Sequence, residues 1–420
     1  MYGNGTLELD VPQESVVLSS RLDELKSTKS GRDIVHEAMM NPIDSPRLSE
    51  LAKGKPDCTI IISDHTRPVP SQDILPEMLA ELRLGNPDIK ITLLVATGFH
   101  RPTSVQELQA KLGDKLYDEF KDCIVVHDAH NPECNTKVGV LPSGPDCIID
   151  KVAANASLLV AEGFIEAHFF AGFSGGRKSV LPGICDAVTV MGNHCGEFIA
   201  SPYARTGILD GNPMHKDMVA AGKMAKLAFI CNVVIDEDKK TVAAFAGNFE
   251  TAHFTGTEFL AKYCAVKPAP ADIVITTNGG YPLDMNVYQS VKGMTAAEAV
   301  CRKGGVIIMA AGCSDGHGGE SFYKALSEAA SPEAILKDAI SRPRNATVPD
   351  QWQYQILARI LKDFKVIMYA PECPREMLRA MKLDTASSPD EALEKAFAHC
   401  GKNAKVAVIP EGVSVIPVKK

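Results

Sequence analysis

The fold class is decided by residues 58–103, which read CTIIISDHTRPVPSQDILPEMLAELRLGNPDIKITLLVATGFHRPT. Two nearly continuous apolar runs, at 58–64 and 89–97, enclose a segment at 73–85 whose apolar side chains recur at helical spacing. Such runs are typical of strands buried on both faces, as in parallel sheets that are covered by helices. The stretch therefore predicts a strand, a helix and a second strand parallel to the first.

The same alternation of apolar run, loop and helical segment continues along the chain. Ser104 and Glu107 form a capping-box pattern at the start of one predicted helix, and Gly113 is its predicted end. The alternation predicts an α/β fold with mostly parallel sheets flanked by helices. Further strands are predicted at 123–128, 157–164, 228–236, 272–278, 305–312, 365–370 and 405–410, and further helices at 104–113, 331–340 and 388–401.

The length of the chain, 420 residues, favours two domains over one core. Residues 267–271 read KPAPA, and two prolines in five residues stop regular structure just before a predicted strand. We therefore predict an N-terminal domain over residues 1–268 and a C-terminal α/β domain over 269–420. The last predicted strand either stays in the second domain or crosses back to the first.

Charge and composition exclude several classes of function. The net charge is -8, which argues against general binding to nucleic acid or to an anionic membrane surface. No apolar stretch is long enough to cross a bilayer, and the N-terminus lacks the pattern of a signal peptide. The twelve cysteines form no C-x-x-C pair and are predicted to be reduced thiols. These features predict a cytoplasmic protein with no nucleic-acid partner and no membrane association.

Polar segments follow the predicted strands, where ligands collect in open α/β sheets. Arg67 follows the strand at 58–64 and is suited either to binding a carboxylate with two hydrogen bonds or to a salt bridge with Asp64. His100 follows the strand at 89–97 and is suited to proton transfer, although a lone loop histidine is more often surface decoration.

The richest segment is EAHFFAGFSGGRKSVLPG, residues 166–183. It resembles a phosphate loop, but Arg177 stands where the Walker pattern requires glycine, which disfavours an NTPase. The glycines still allow close approach of the backbone to a phosphate, while Arg177 and Lys178 add positive charge. A desolvated Lys178 is also a candidate nucleophile. The alternative is a tight turn with solvated charges.

Other candidates lie further along the chain. His194, in the context Gly-Asn-His, is a candidate metal ligand, but one protein ligand is too few unless a cofactor supplies the others. Tyr288, Gln289 and Lys292 share a helical face by spacing. Trp352, the single tryptophan, opens a helical segment and is consistent with either a hydrophobic lid or core packing.

Taken together, these segments resemble the nickel-pincer lactate racemase family, also called the LarA-type racemases. The resemblance runs from DHTRP at 64–68 to Trp352 and rests on the string at 166–183, with DHTRPVP and ATGFHRPT before it in order. It implies a racemase that interconverts D- and L-2-hydroxy acids, with lactate the first candidate. The implied chemistry is hydride transfer to and from a cofactor through a 2-keto acid, in an active site between two domains.

The resemblance also implies a cofactor, nickel held by pyridinium-3-thioamide-5-thiocarboxylic acid mononucleotide, and dedicated maturation proteins that make and load it. Lys178 would be joined to the nucleotide through a thioamide, His194 would be the protein's nickel ligand, and His100 and His168 would act as acid and base. The remaining implied residues are Asp64, Ser174, Gly175, Gly176 and Arg177 near the cofactor, and Arg67, Tyr288, Gln289, Lys292 and Trp352 near the substrate.

Three alternatives differ in what they require of these residues. A racemase or epimerase of malate, 2-hydroxyglutarate, phenyllactate or a sugar acid would share the catalytic residues and differ only in its pocket. A nicotinamide-dependent dehydrogenase is disfavoured because no G-x-G-x-x-G lies between a strand and a helix. A nickel or cofactor carrier without turnover would need Lys178 and His194 but not His100, His168 and Arg67.

Overall fold

The computed structural model describes residues 1–418 and contains two large, mostly parallel sheets. Short 3-10 helices lie at Leu22–Glu24, Lys121–Cys123, Gly176–Ser179 and Arg344–Ala346. The strands are β1 (Val16–Val17), β2 (Asp57–Ser63), β3 (Lys90–Ala96), β4 (Ile124–Val126), β5 (Asn135–Val140), β6 (Asp146–Asp150), β7 (Leu159–Phe164), β8 (Ala167–His168), β9 (Gly172–Phe173), β10 (Leu227–Ile235), β11 (Thr241–Gly247), β12 (Ala265–Val266), β13 (Ala271–Thr277), β14 (Cys301–Ala310), β15 (Lys365–Tyr369), β16 (Asp384–Thr385), β17 (Val406–Ile409) and β18 (Ile416–Pro417). The α-helices are α1 (Gly31–Met40), α2 (Leu48–Ala52), α3 (Ser71–Gly85), α4 (Val105–Phe120), α5 (Lys151–Asn155), α6 (Ala187–Asn193), α7 (Gly196–Ala200), α8 (Pro213–Met224), α9 (Thr251–Cys264), α10 (Val287–Val300), α11 (Glu320–Ser327), α12 (Pro332–Ser341), α13 (Gln351–Asp363), α14 (Arg375–Ala380) and α15 (Pro389–Cys400).

The first sheet has the order β11-β10-β7-β2-β3-β4, and every neighbouring pair is parallel except β10 with β11. The strand, helix and parallel strand predicted from residues 58–103 are β2, α3 and β3. β2 is an inner strand between β3 and β7, and side chains on both of its faces are buried. Ile60 and Ile62 pack in one hydrophobic cluster and Ile61 in another, which explains the unbroken apolar run.

The second sheet has the order β1-β17-β13-β14-β15-β16 and is parallel throughout. Its outer strand β1 comes from the beginning of the chain, and β17 is the predicted strand at 405–410. After β17 the chain forms one more strand, β18, which pairs with β12. The predicted α/β class with mostly parallel sheets is therefore confirmed, whereas the division of the chain near residue 268 stays a prediction.

Helix α4 departs from its predicted end. Ser104 and Glu107 form the predicted capping box, with the Glu107 amide 3.3 Å from the Ser104 hydroxyl and the Ser104 amide 2.8 Å from Oε2 of Glu107. The helix breaks at Gly113, where φ is 73°. It then resumes as far as Phe120, because Leu116 and Phe120 continue the buried apolar stripe beyond the break.

The two sheets share a core. One hydrophobic cluster includes Ile61 of β2 together with Val274 of β13 and Ile307 of β14. Segments from both sheets also meet in a common space, where Phe99, in the loop after β3, lies against Trp352 of α13 with ring centroids 6.1 Å apart. Among residues 1–418, no helix is long and apolar enough to cross a membrane.

Candidate active site

The loops after β2 and β3 bring His100 and Asp64 together. Nδ1 of His100 lies 2.6 Å from Oδ2 of Asp64, and the Thr66 hydroxyl donates to Oδ1 at 2.7 Å. Burial alone would raise the pKa of Asp64, but the hydrogen bonds from His100 and Thr66 lower it below its ordinary value. The ionised carboxylate requires a donor at Nδ1, so neutral His100 keeps a free lone pair on Nε2.

The salt bridge between Asp64 and Arg67 that the sequence left open does not form. Within residues 1–418, the Arg67 guanidinium has no carboxylate partner, although its charge acts on His168, Lys178 and Lys292. Its side chain is thus left available to an anion in the common space between the sheets.

Arg67, Lys178 and Lys292 form a cation cluster that draws on both sheets. Burial, then Arg67 and Arg177, hold the pKa of Lys178 well below its ordinary value. Burial and Arg67 lower the pKa of Lys292 to about 8. Glu166 partly offsets both shifts, yet in the described part of the chain none of the three cations forms an ion pair. The cluster is therefore suited to anions, and the lowered pKa of Lys178 favours its neutral, nucleophilic form.

His168 faces the cation cluster in a tautomer opposite to that of His100. Its Nδ1 accepts the Ala171 amide at 3.2 Å, so the neutral ring carries its hydrogen on Nε2. Burial, followed by the charges of Lys178 and Lys292, pushes the pKa of His168 well below its usual range. The ring also stacks on Phe169, with centroids 5.0 Å apart. His168 is therefore a neutral hydrogen-bond donor at this edge of the pocket.

His194 is buried, with 5% of its surface exposed, immediately after α6. Its Nδ1 donates to the Val190 carbonyl at 3.0 Å, which leaves the Nε2 lone pair free. Burial and Lys178 lower the pKa of His194 to about 3, so the ring stays neutral at physiological pH. A neutral imidazole with one fixed tautomer is a good metal ligand. Residues 1–418 contain no group of three or more His, Cys, Asp or Glu side chains that could hold a metal ion, and a role of His194 as a metal ligand stays a prediction.

The loop that carries Lys178 owes its shape to two glycines and a buried asparagine. Gly175 and Gly176 have φ of 77° and 53°, and a Cβ on Gly176 would lie 2.6 Å from the His253 ring. The Gly176 amide donates to Oδ1 of Asn232 at 2.6 Å. Ser174 lies beside this turn, where its hydroxyl accepts the Glu166 amide at 2.9 Å. Ser174 thus fixes the loop from within.

The side chain of Arg177 is buried, so the alternative of a turn with solvated charges does not hold for this residue. It is 1% exposed, and its guanidinium donates to the carbonyls of Ala171 at 2.7 Å and Gly175 at 3.3 Å. Nη1 also lies 3.0 Å from Nε2 of His253, a ring that is itself 2.8 Å from the Ser174 carbonyl. These contacts hold the loop in place, and a role of Arg177 toward a cofactor stays a prediction.

Two of these loop-holding residues, Asn232 and His253, were missed by the sequence analysis. Asn232 lies in the middle of β10 with none of its surface exposed. A polar amide inside the apolar run AFICNVVID, residues 228–236, was a signal that could have been used. His253 carries no comparable signal, because α9 has ordinary helical spacing around it.

The second sheet contributes residues from α10 and α13. Trp352, at the start of α13, donates from Nε1 to the Tyr288 hydroxyl at 3.2 Å. Its ring lies edge-on to His194, with centroids 5.3 Å apart, and 6.1 Å from Phe99 of the first sheet's loops. Trp352 is half-buried and contacts Tyr288 of the second sheet's helices as well as Phe99 and His194 of the first sheet's loops. This position favours a lid over plain core packing. Gln289 lies next to Tyr288 on α10 and is half-buried.

The fold and the site together define the class of this protein. It is an α/β protein whose two sheets bring together an unpaired cation cluster, two histidines of opposite tautomer and a neutral, buried histidine. Residues 2–207 match the model of the lactate racemase N-terminal domain, and residues 266–417 match that of the lactate racemase C-terminal domain. The chain belongs to the lactate racemase family, as its motifs predicted.

Individual relatives agree with this assignment. The chain is 52% identical to the lactate racemase of Thermoanaerobacterium thermosaccharolyticum, over 100% of this chain and 98% of the relative. It is 52% identical to the lactate racemase of Lactiplantibacillus plantarum, over 99% and 98%. The structure of the T. thermosaccharolyticum lactate racemase apoprotein superposes with a TM-score of 0.95 at 51% identity, covering 100% of this chain and 99% of that one. A Thermotoga maritima protein, 19% identical with a TM-score of 0.66 over 92% and 98%, shares the fold.

Proposed function

We propose that this chain is an isomerase that interconverts D- and L-lactate. The cation cluster carries the proposal, because unpaired Arg67, Lys178 and Lys292 are suited to a carboxylate substrate and an anionic cofactor at once. Identity of 52% to two lactate racemases supports the choice of substrate. Racemases of malate, 2-hydroxyglutarate, phenyllactate or a sugar acid would use the same residues and remain the alternatives.

We propose further that the cofactor is the nickel-pincer mononucleotide, attached at Lys178 and loaded by maturation proteins. The residues fit this group in two respects: the lowered pKa of the Lys178 amine favours its neutral form, and His194 presents a free Nε2 lone pair. When bound, the nucleotide would supply an acceptor for the hydride at C2 of the substrate, and its return to the 2-keto acid held in the site would give either enantiomer.

The protein's own residues hold the substrate and move its proton. Arg67 binds the carboxylate with two parallel hydrogen bonds, and Lys292 adds a second positive charge. His100 accepts the hydroxyl proton at Nε2, because Asp64 occupies Nδ1. His168 donates a hydrogen bond from Nε2 to the substrate oxygen. To act as base for the other enantiomer, His168 must give up its contact with the Ala171 amide and take the other tautomer.

We propose that residues 1–268 bind the cofactor and that residues 269–420 close over it. The contact between Trp352 and His194 supports this arrangement, since it joins α13 to the metal-binding histidine. Closure would exclude water from the reacting atoms. A disulfide that locks residues 267–271 in an open position should abolish turnover, and equal activity in that variant would contradict closure.

The test is an enantiomer-interconversion assay on protein co-expressed with the maturation proteins. D- and L-lactate are offered beside larger 2-hydroxy acids, with Lys178→Ala and His168→Ala as inactive controls. Inversion of lactate that is lost in both variants would establish the reaction. Inversion of another acid with lactate untouched would correct the substrate. If nickel and nucleotide are bound and no acid is inverted, the chain is a cofactor carrier and the proposal is wrong.

A further inference from the structure

A second cavity lies beside the loop that carries Lys178, apart from the cation cluster. Its volume is about 260 Å³, and its wall includes the apolar side chains of Leu209, Val219 and Phe249. The polar part of its wall includes Arg177, His215 and Thr251. Residues Arg67, His168, Lys178 and Lys292 of the proposed active site do not line it.

Three residues of this wall each carry a buried polar atom that has no hydrogen-bond partner within residues 1–418. These atoms are Nε of Arg177, Nδ1 of His215 and Oγ1 of Thr251. Arg177 is 1% exposed, and each of its Nη nitrogens donates to a main-chain carbonyl, so Nε is its one nitrogen without a partner. Buried polar groups are nearly always paired, and three unpaired groups on one cavity indicate a ligand that they bind together.

The charges around the cavity define the kind of ligand. In the described chain Arg177 has no carboxylate partner, and the carboxylate of Glu250, which also lines the cavity, is already paired with Lys223 at 3.0 Å. Burial and the charge of Arg177 lower the pKa of His215 to about 4, so this ring is a neutral donor or acceptor at physiological pH. One cation with neutral donors suits a monoanion, and Glu250 would repel a dianion.

We propose that this cavity is a binding site for a small monocarboxylic acid. The carboxylate accepts hydrogen bonds from Nε of Arg177, from the Nδ1–H tautomer of His215 and from the Thr251 hydroxyl. A short apolar body packs against Leu209, Val219 and Phe249. The cavity is slightly smaller than the roughly 300 Å³ at which drug-sized pockets begin, which limits the ligand to a small acid.

A ligand in this cavity would influence the active site through its charge. Arg177 and Lys178 are neighbours in the short helix Gly176–Ser179, and the charge of Arg177 acts on Lys178. An acid bound at Arg177 would offset that charge. The proposal itself concerns binding and does not depend on which reaction the chain catalyses.

The experiment uses the full apoprotein with labelled Leu and Val methyl groups, titrated with isobutyrate and with the neutral isostere isobutyramide. We expect the methyl signals of Leu209 and Val219 to shift saturably with isobutyrate. The amide lacks the charge and one acceptor, so its affinity should be weaker by about tenfold. The same titration of Thr251→Val should be weakened severalfold, and that of His215→Leu likewise.

A matched control lies on the same helix. Thr255 is exposed, donates to the Thr251 carbonyl at 2.9 Å and does not line the cavity, so Thr255→Val should bind isobutyrate as the parent chain does. Unchanged signals elsewhere in the spectra show that each variant is folded. Equal affinity for acid and amide would mean an apolar cavity without an anion site. Shifts confined to methyl groups near the cation cluster, or no shifts at all, would also overturn the proposal.

Discussion

Nδ1 of His100 lies 2.6 Å from Oδ2 of Asp64, a carboxylate that is 1% exposed. The short contact turns an otherwise exposed loop histidine into an oriented base, because it fixes both the tautomer and the plane of the ring. The pair joins the loop after β2 to the loop after β3, so the geometry of the first sheet sets it directly.

Replacing Asp64 with asparagine should lower kcat for lactate inversion by about 100-fold or more, because an amide nitrogen can donate to Nδ1 and favour the wrong tautomer of His100. The effect should fall on kcat more than on KM, since Arg67 is untouched. Thr66→Val is the matched control: it removes a hydrogen bond to Oδ1 at 2.7 Å and keeps the carboxylate. Turnover of Asp64→Asn at the parental rate would contradict a role for the pair.

Replacing Lys178 with arginine should prevent covalent attachment of the nucleotide. Burial and neighbouring cations lower the pKa of the Lys178 amine and so favour its nucleophilic form, whereas a guanidinium stays protonated and is a poor nucleophile. Intact-mass measurement of protein co-expressed with the maturation proteins should show the added mass in the parent chain and in Lys292→Arg, and its absence in Lys178→Arg. An added mass on Lys178→Arg would place the attachment elsewhere.

Replacing His194 with alanine should remove nickel and leave the nucleotide attached, because the ring provides one free Nε2 lone pair and Lys178 is unchanged. Metal analysis and intact mass on the same sample separate the two effects. His399→Ala is a distant control, since that ring lies on α15 with Nε2 3.1 Å from the Gly304 carbonyl of the second sheet. Retention of one nickel per chain in His194→Ala would exclude this residue as the ligand.

The pH dependence should report Lys292, whose pKa is lowered to about 8 by burial and by Arg67. The amine is charged below that pH and loses its charge as the pH rises through it, so kcat/KM for lactate should fall on the alkaline side. A bound carboxylate favours the charged form and moves the fall to somewhat higher pH. In Lys292→Arg the alkaline fall should disappear up to pH 10, because arginine stays charged. An unchanged alkaline limb in this variant would assign it to another group.

The fold was predicted well from the sequence where burial produces a continuous run of apolar residues. Continuous apolar runs predicted β2, β3 and the parallel class, since strands covered on both faces have no polar side to show. Strand β1 was not predicted, because two residues are too few to show a period and its pairing with β17 joins opposite ends of the chain.

The same reasoning separates the predicted from the missed parts of the site. Residues after strands, such as Asp64 and His100, could be placed at a common edge from the sheet alone. Their pairing could not, because the motif allowed Asp64 to bond with Arg67 equally well. The support given to the Lys178 loop by Asn232 and His253 depends on contacts over more than 50 positions in the chain, which no local pattern encodes.

A substitution of Asn232 tests whether its hydrogen bond to Gly176 supports the Lys178 loop. Its Oδ1 accepts the Gly176 amide at 2.6 Å in a fully buried position, so Asn232→Ala should leave that amide unpaired and lower the free energy of unfolding by about 1–3 kcal/mol. The fraction of chains that carry the nucleotide should fall as well, because the loop no longer holds Lys178 in one place. Asn232→Asp keeps the acceptor and should restore attachment better than alanine does, despite the cost of a buried charge. Denaturant unfolding of the apoprotein measures the first effect and intact mass the second. If Asn232→Ala loses stability while its nucleotide content matches that of the parent chain, Asn232 supports the fold only and does not position Lys178.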